Sequence, residues 1–416
     1  MRFFAAAALA ALAAVAAAAT PAAGAHANYF IGFMSGHQQV PPAASMGRGR
    51  VYGFLNGHTL SLKYSFFGLS TPINTSIGVH IHEGLAGANG PVIFPLDTKF
   101  SNGRRAGVGQ AQLQLSSEQA AALEARGLYF NLHTNEFAAG ELRAQLVPNV
   151  RGARLLSASL LTAATNPEVE DTGALGGVVL EIMPSGSLVV SGSFEMLSTP
   201  LAVDIAMGAH LHMGITGTNG DVIIPLVTTL AADMKSGKFL AANNTYTPDA
   251  SFLQALRDRE VYVNVHSTKF PSGEIRGQVL SAASSAAFYT NLVGAEEVPD
   301  PVMTNATGAV SIEFFTPNIV AVTGSFAGLS SALATEIAMG AHLHRGARGA
   351  NGPVYQPLKA TTSADGRSGR FLLANNQYNI ANSSDVASLF AGNTYVNIHS
   401  ANFMGGEIRG QVELTV

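Results

Sequence analysis

Met339-Gly340-Ala341-His342-Leu343-His344-Arg345-Gly346, followed by Gly349-Ala350-Asn351-Gly352-Pro353-Val354, is one of three copies of the same stretch in the chain. The second copy is Gly208-Ala209-His210-Leu211-His212-Met213-Gly214 with Gly217-Thr218-Asn219-Gly220-Asp221-Val222. The first is Gly78-Val79-His80-Ile81-His82-Glu83-Gly84 with Gly87-Ala88-Asn89-Gly90-Pro91-Val92. Each has a companion roughly 55 residues on: Tyr129-Phe130-Asn131-Leu132-His133, Tyr262-Val263-Asn264-Val265-His266 and Tyr395-Val396-Asn397-Ile398-His399. Of the 12 histidines in the chain, these motifs hold nine.

Side-chain direction in a strand alternates with period two, so both imidazoles of His-x-His leave the same face while the apolar residue between them enters a core. Asn-x-His obeys the same parity. If the two strands are neighbours, a third imidazole joins the pair, and Tyr129 is placed to line the group. Three neutral imidazoles suit copper or zinc. The candidate ligands are therefore His80, His82 and His133, then His210, His212 and His266, then His342, His344 and His399. Hydrogen-bonded struts at a sheet end, or an aromatic or sugar-binding role, are the alternative readings of the same residues. Because ligation requires neutral rings, metal binding is expected to weaken as pH falls through about 6.5.

Outside the motifs the periodicity is also two. Leu60 to Phe66 alternates strictly, and Ser187 to Phe194 and Ile319 to Phe326 do so more loosely. Strands of this length, punctuated by Gly, Pro and Asn turns, indicate an antiparallel sandwich or barrel. One short helix per repeat is predicted ahead of each companion strand. Ser116-Ser117-Glu118-Gln119 caps Ala120 to Arg126; Thr247-Pro248-Asp249 opens Ala250 to Arg257; Ser383-Ser384-Asp385 opens Val386 to Phe390. The Gly-x-x-Gly-x-Asn-Gly stretch has no following Lys-Ser/Thr and no following helix, so it reads as a turn rather than a phosphate loop. Glu141, Glu274 and Glu407 precede Arg143, Arg276 and Arg409 by two residues, a spacing that suggests a same-face ionic clasp. A glutamate orienting a ligand histidine, or ligating directly, is the alternative. No Ser/His/Asp arrangement recurs, so nucleophilic catalysis finds no support.

The repeat period, about 130 residues, is that of a whole domain rather than of a solenoid unit. Expected boundaries are 28–147, 156–280 and 288–416, joined at Val147 to Leu155 and at Ser281 to Ala287. Residues 1–25 read as a signal peptide: Met1-Arg2, an apolar run from Phe3, and small residues at Ala23-Gly24-Ala25. A secreted or extracytoplasmic protein follows, with no membrane contact after cleavage. The net charge of −4 offers no basic footprint for nucleic acid. The chain has no cysteine, which removes disulfides and thiolate metal sites alike.

Gly-Ala-His-Leu-His, Tyr-Val-Asn-Val-His and Gly-Glu-Ile-Arg-Gly-Gln together resemble the CHRD domain, the module named after chordin. Val40-Pro41-Pro42 and Glu297-Val298-Pro299 look like that family's opening motif, from which Asn166-Pro167 in the second repeat departs. The resemblance implies secreted β-rich modules and an unidentified extracellular protein or matrix ligand as partner. More distantly, the His-x-His and Asn-x-His strands are similar to the copper-binding strands of copper/zinc superoxide dismutases. That resemblance implies an antiparallel Greek-key sandwich and would make all nine histidines copper ligands. The metal-bridging histidine, the zinc-loop histidines and the disulfide of that family have no counterpart here. Taken together, the expectation is an all-β chain of three tandem antiparallel Greek-key β-sandwich domains, each with one short helix. Its expected function is that of a non-catalytic extracellular binding or matrix-associated module with a three-histidine metal site per domain, the alternative being a copper-dependent oxidoreductase of superoxide-dismutase type.

Overall fold

The computed structural model describes residues 28–414. The signal peptide expected at 1–25 lies outside the described residues, as do the last two residues of the third repeat. In the first module the strands are β1 (Tyr29–Met34), β2 (Arg48–Asn56), β3 (Thr59–Phe67), β4 (Val79–Glu83), β5 (Val92–Pro95), β6 (Lys99–Ser101) and β7 (Ala106–Gln114). Helix α1 (Ser117–Glu124) follows, then β8 (Leu128–Leu132), β9 (Leu142–Gln145) and β10 (Val147–Pro148). They form two antiparallel sheets, ordered β10-β1-β2-β3-β7-β6 and β5-β4-β8-β9. The chain leaves the first sheet after β3, builds β4 and β5 in the second, and returns to place β7 beside β3, a Greek-key path.

The second and third modules repeat this order. In them the two sheets meet along one edge, where Leu161 pairs with Arg276 and Val293 with Arg409. The first module makes the same junction as a single bridge, Ser35 to Arg143. The second repeat therefore keeps its first strand, Arg154–Leu161, despite its divergent opening phrase.

Alternation explains both the sandwich and its exceptions. In β3, Leu60, Leu62, Tyr64 and Phe66 enter the core while Lys63, Ser65 and Phe67 face outward and are exposed. The equivalent strands Leu188–Glu195 and Ile319–Ala327 are buried on both faces. Their looser alternation is a consequence of position: each has its outer face covered by the preceding module, so small side chains rather than charged ones occupy it. Ser193 Oγ donates to the Ala86 carbonyl at 2.8 Å, and Ser325 Oγ donates to the Thr216 carbonyl at 2.8 Å. Arg126 meets the buried Glu181 at 2.7 Å, and Arg259 meets the buried Glu313 at 2.7 Å, so the two junctions repeat each other residue for residue. The first and third modules also touch, Arg48 donating to the Thr316 carbonyl at 2.6 Å.

The three helices among the described residues stand where the sequence placed them. Ser116 caps the first with a full capping box through Gln119, and Asp249 caps Ala250–Arg257. The third, Ser383–Phe390, is capped by Asn382 instead of the serine-aspartate phrase, which lies inside the helix. Leu123, Phe252, Leu256 and Leu389 carry these helices onto the cores. With no cysteine in the chain, burial of such side chains, about 1.5–3 kcal/mol each, is the main stabilising term. The junction at Gly152 is exposed, whereas Ser284 and Ser285 are buried, so the second expected linker is part of a packed interface.

Candidate metal centre

Strand β4 lies between β5 and β8, and its register sets His80 opposite Asn131 and His82 opposite Tyr129. Ile81 and Phe130 point the other way, into the core, with no solvent exposure. The outer face of this sheet thus carries His80, His82, Tyr129, His133 and Arg143. The structure brings each expected set together: His80, His82 and His133; His210, His212 and His266; His342, His344 and His399. In each set one ring nitrogen per residue lies within 4.8 Å of the others. All nine rings are buried, the most exposed at 9%.

Backbone carbonyls fix the tautomers. Nδ1–H of His82, His212 and His344 donates to the carbonyls of Gly90, Gly220 and Gly352 at 2.8–2.9 Å. Nδ1–H of His133, His266 and His399 donates to those of Ala138, Pro271 and Met404 at 2.8–2.9 Å. In the second and third modules His210 and His342 do the same to Ala206 and Ala338 at 3.1 Å. With the proton on Nδ1, a neutral ring presents a lone pair at Nε2. Nε2 of His82, His133, His212 and His344 is buried with no hydrogen-bond partner. Nε2 of His210 and His266 face each other at 2.8 Å, as do those of His342 and His399 at 2.9 Å.

Burial also opposes protonation. Desolvation, helped by the neighbouring rings, lowers His210 to about 3, and desolvation is the chief cause that lowers His133, His212, His344 and His399 to about 4. His80, His82, His266 and His342 are lowered by the same cause. All nine rings therefore favour the neutral form more than a free histidine does, and the onset expected near pH 6.5 is displaced to lower pH.

A stack supports one ligand of each set. His82 lies on Tyr129 with ring centroids 4.9 Å apart, His212 on Tyr262 at 4.6 Å, and His344 on Tyr395 at 4.4 Å. The other tyrosine face carries Arg143, Arg276 or Arg409 at 3.5–3.6 Å, a cation–π contact. Each arginine reaches on to the glycine loop: Arg143 to the carbonyls of Leu85 and Ala88, Arg276 to Thr218 and Asn219, Arg409 to Ala350 and Asn351. The loop answers through the N–H of Gly90, Gly220 and Gly352, which donates to the tyrosine hydroxyl at 3.0–3.1 Å.

These arginines correct the expected ionic clasp. Glu141 accepts from Ser45 Oγ and Ser70 N–H, Glu274 from Thr172 and Ser198, Glu407 from Thr304 and Ser330. The glutamates hold neighbouring loops, and neither touch the arginines two residues on nor orient a histidine; carbonyls instead hold the Nδ1–H of eight of the nine rings. Sequence reasoning also missed the purpose of Gly-x-Asn-Gly. Its last glycine is the carbonyl that orients the second histidine, always eight residues after it. A side chain there would collide with the carbonyl of Glu83, Met213 or Arg345, so only glycine fits. Its asparagine secures the opening phrase: Asn89, Asn219 and Asn351 donate to the carbonyls of Val40, Asn166 and Val298 at 2.7–3.0 Å. The second repeat, with Asn166 in place of valine, makes the same bond because only a backbone carbonyl is used.

The sequence matches the CHRD domain family three times, at residues 31–146, 156–279 and 288–412. The chain belongs to the CHRD family. No curated protein matches the chain. Within each CHRD module the motif histidines, the tyrosine, the arginine and the glycine loop form one connected unit on the outer face of the smaller sheet.

Proposed function

We propose that this is an exported binding protein in which each CHRD module holds one copper or zinc ion through three histidine Nε2 atoms, with copper preferred. One observation carries this reading. In the second and third modules both rings of the facing pair give their Nδ1 proton to a carbonyl, so two lone pairs meet at 2.8–2.9 Å. That contact repels unless a positive centre lies beside it, and burial makes protonation a poor solution. A metal ion satisfies both nitrogens and the orphaned Nε2 of the third ring.

Copper is preferred because imidazole is a good ligand for both ions and Cu(II) leads the usual affinity order. Export is supported by the leader sequence and by the family. Among the described residues no helix is long and apolar enough to cross a membrane. A binding role rather than dismutation is supported by the sequence, in which the metal-bridging and zinc-loop histidines of the dismutases have no counterpart.

Titration calorimetry with Cu(II) tests this, using untagged protein stripped of metal. The expected stoichiometry is three ions per chain, falling to two in the His342→Ala/His344→Ala variant, with no rapid superoxide dismutation. Equal stoichiometry in the two proteins would overturn the site assignment. Rapid dismutation that is lost when all three sets are replaced would favour the oxidoreductase.

A further inference from the structure

The outer face of the larger sheet is used differently in the three modules. In the second, Gly177, Val179, Glu181, Ser191 and Ser193 lie beneath the first module, and in the third, Ala309, Ser311, Glu313, Thr323 and Ser325 lie beneath the second. Antiparallel register makes Arg50, Tyr52, Phe54, Lys63 and Ser65 the equivalents in the first module. All five are exposed. We propose that this face binds an acidic polysaccharide, its aromatic rings stacking on sugar rings and its cations pairing with uronate carboxylates.

The substitutions exclude a second copy of the chain as occupant. Docking in the other modules needs a small residue at the Gly177 or Ala309 position and a carboxylate at the Glu181 or Glu313 position. Here these are Arg50 and Phe54. The other end of the chain has changed as well: Gly392 stands where Arg126 and Arg259 supply the ion pair, since Gln411 donates to its carbonyl as Gln145 and Gln278 donate to those of the arginines. Two first-module faces would also set like charges against each other.

What the face offers instead is a grid. One cross-strand row runs Tyr52, Lys63, Gln110; the next runs Arg50, Ser65, Val108, Lys99; a third runs Tyr29, Phe54, Ser61, Gln112. Neighbouring rows are two residues apart along the strands, so all these side chains rise from one side. Tyr29 is 61% exposed and its ring lies 4.9 Å from that of Phe54. Two shallow grooves meet at Tyr52, Lys63 and Gln110, one of about 630 Å³ and one of about 520 Å³. Arg50, Lys63 and Lys99 against Asp97 give the first groove an excess of positive charge in a chain whose net charge is −4. Flat aromatic faces, side-chain amides and spaced cations match a polymer of rings that carries carboxylates, and such a patch concentrates an anionic partner.

The proposal is independent of the metal sites. Its test is binding of polygalacturonate to the full chain by calorimetry at low and at 0.5 M salt, with neutral dextran and a single-stranded oligonucleotide as comparison probes. Polygalacturonate binding that weakens with salt is expected, as is a loss of at least tenfold in the Arg50→Ala/Lys63→Ala and Tyr52→Ala variants, with dextran inert. Circular dichroism and copper stoichiometry should be unchanged in these variants, since the residues are on the surface. No binding, undiminished binding in the variants, or tighter binding of the oligonucleotide would overturn the proposal.

Discussion

The first histidine set and the two that follow differ in one ring. His210 and His342 are tethered through Nδ1 to the carbonyls of Ala206 and Ala338 at 3.1 Å, while Nδ1 of His80 makes no well-formed bond and has only Ile77 as a weak backbone neighbour. The cause is loop length. His210 and His342 follow Leu201 and Leu333 by nine positions, but His80 follows Ile73 by seven, although all three hydrophobic residues bridge to the residue just after the companion histidine, Ser267, Ser400 and Thr134. The extra residues take left-handed conformations, at Ala206 (φ 43°) and Met207 (φ 71°), and at Ala338 (φ 42°) and Met339 (φ 68°). They turn a carbonyl back onto the ring four residues later. The tether moves the facing rings to 4.6–4.7 Å between centroids, against 5.4 Å for His80 and His133. The same ligands on the same strands thus give two spacings, set by a loop outside the motif.

The largest effect should come from breaking the feature all three sets share. Gly220→Ala forces a side chain into the Met213 carbonyl and displaces the carbonyl that holds His212. We expect a loss of about 3 kcal/mol or more in denaturant unfolding and loss of one copper per chain in calorimetry. Next in size is the effect of metal. At a free concentration one hundred times Kd, binding stabilises by about 2.7 kcal/mol, so copper should raise the melting transition and a strong chelator should reverse it. An unchanged transition would favour the histidines as plain structural struts.

The comparison itself predicts unequal affinities. The second and third sets relieve a lone-pair repulsion on binding that the first does not carry, so they should bind copper at least tenfold more tightly, about 1.4 kcal/mol. Stepwise titration of the wild type beside His80→Ala/His82→Ala, which should lose the weaker step, checks this. Deleting Ala206 and Met207 should convert the second set to the weaker kind.

The pH dependence follows from depressed histidine values. Unfolded histidines protonate near 6.5, whereas burial holds His133, His210, His212, His344 and His399 at about 4 or below in the folded chain. Between these values the unfolded state binds protons that the native state does not, so stability is full above about 6.5 and declines as pH falls toward 4. Copper should remain bound at pH 5.5 and be released by pH 3.5, followed by metal analysis after gel filtration. The smallest effect expected is that of Tyr262→Phe, which removes the hydroxyl that accepts from Gly220 N–H but keeps the stack on His212. It should cost about 1 kcal/mol, read as a modest drop in melting temperature at unchanged metal stoichiometry.

Much of the site was legible because it rests on strand parity. Once His-x-His and Asn-x-His are strands, His80 and His82 share a face and Ile81 must take the other, whatever the loops do. The helices were legible for a similar local reason: Ser116 and Asp249 cap the turns they begin. The roles of Glu141 and Arg143 were not legible. Spacing alone makes them a pair, but a glutamate goes to whichever buried donors would otherwise lack an acceptor, and here those are Ser45 and Ser70 on distant loops. The arginine goes to Tyr129, where its charge is retained although burial lowers it to about 10.

By itself the sequence determined the three-fold repeat, the β period, the absence of disulfides and the parity that puts three imidazoles on one face. These are properties of short stretches, fixed by backbone geometry and residue type. Only the tertiary structure decided which nitrogen of each ring is free, how far apart the rings stand, and which sheet face is covered. Those outcomes depend on carbonyls contributed by loops such as Gly220 and Ala206, and on the module packed alongside, so no local pattern records them.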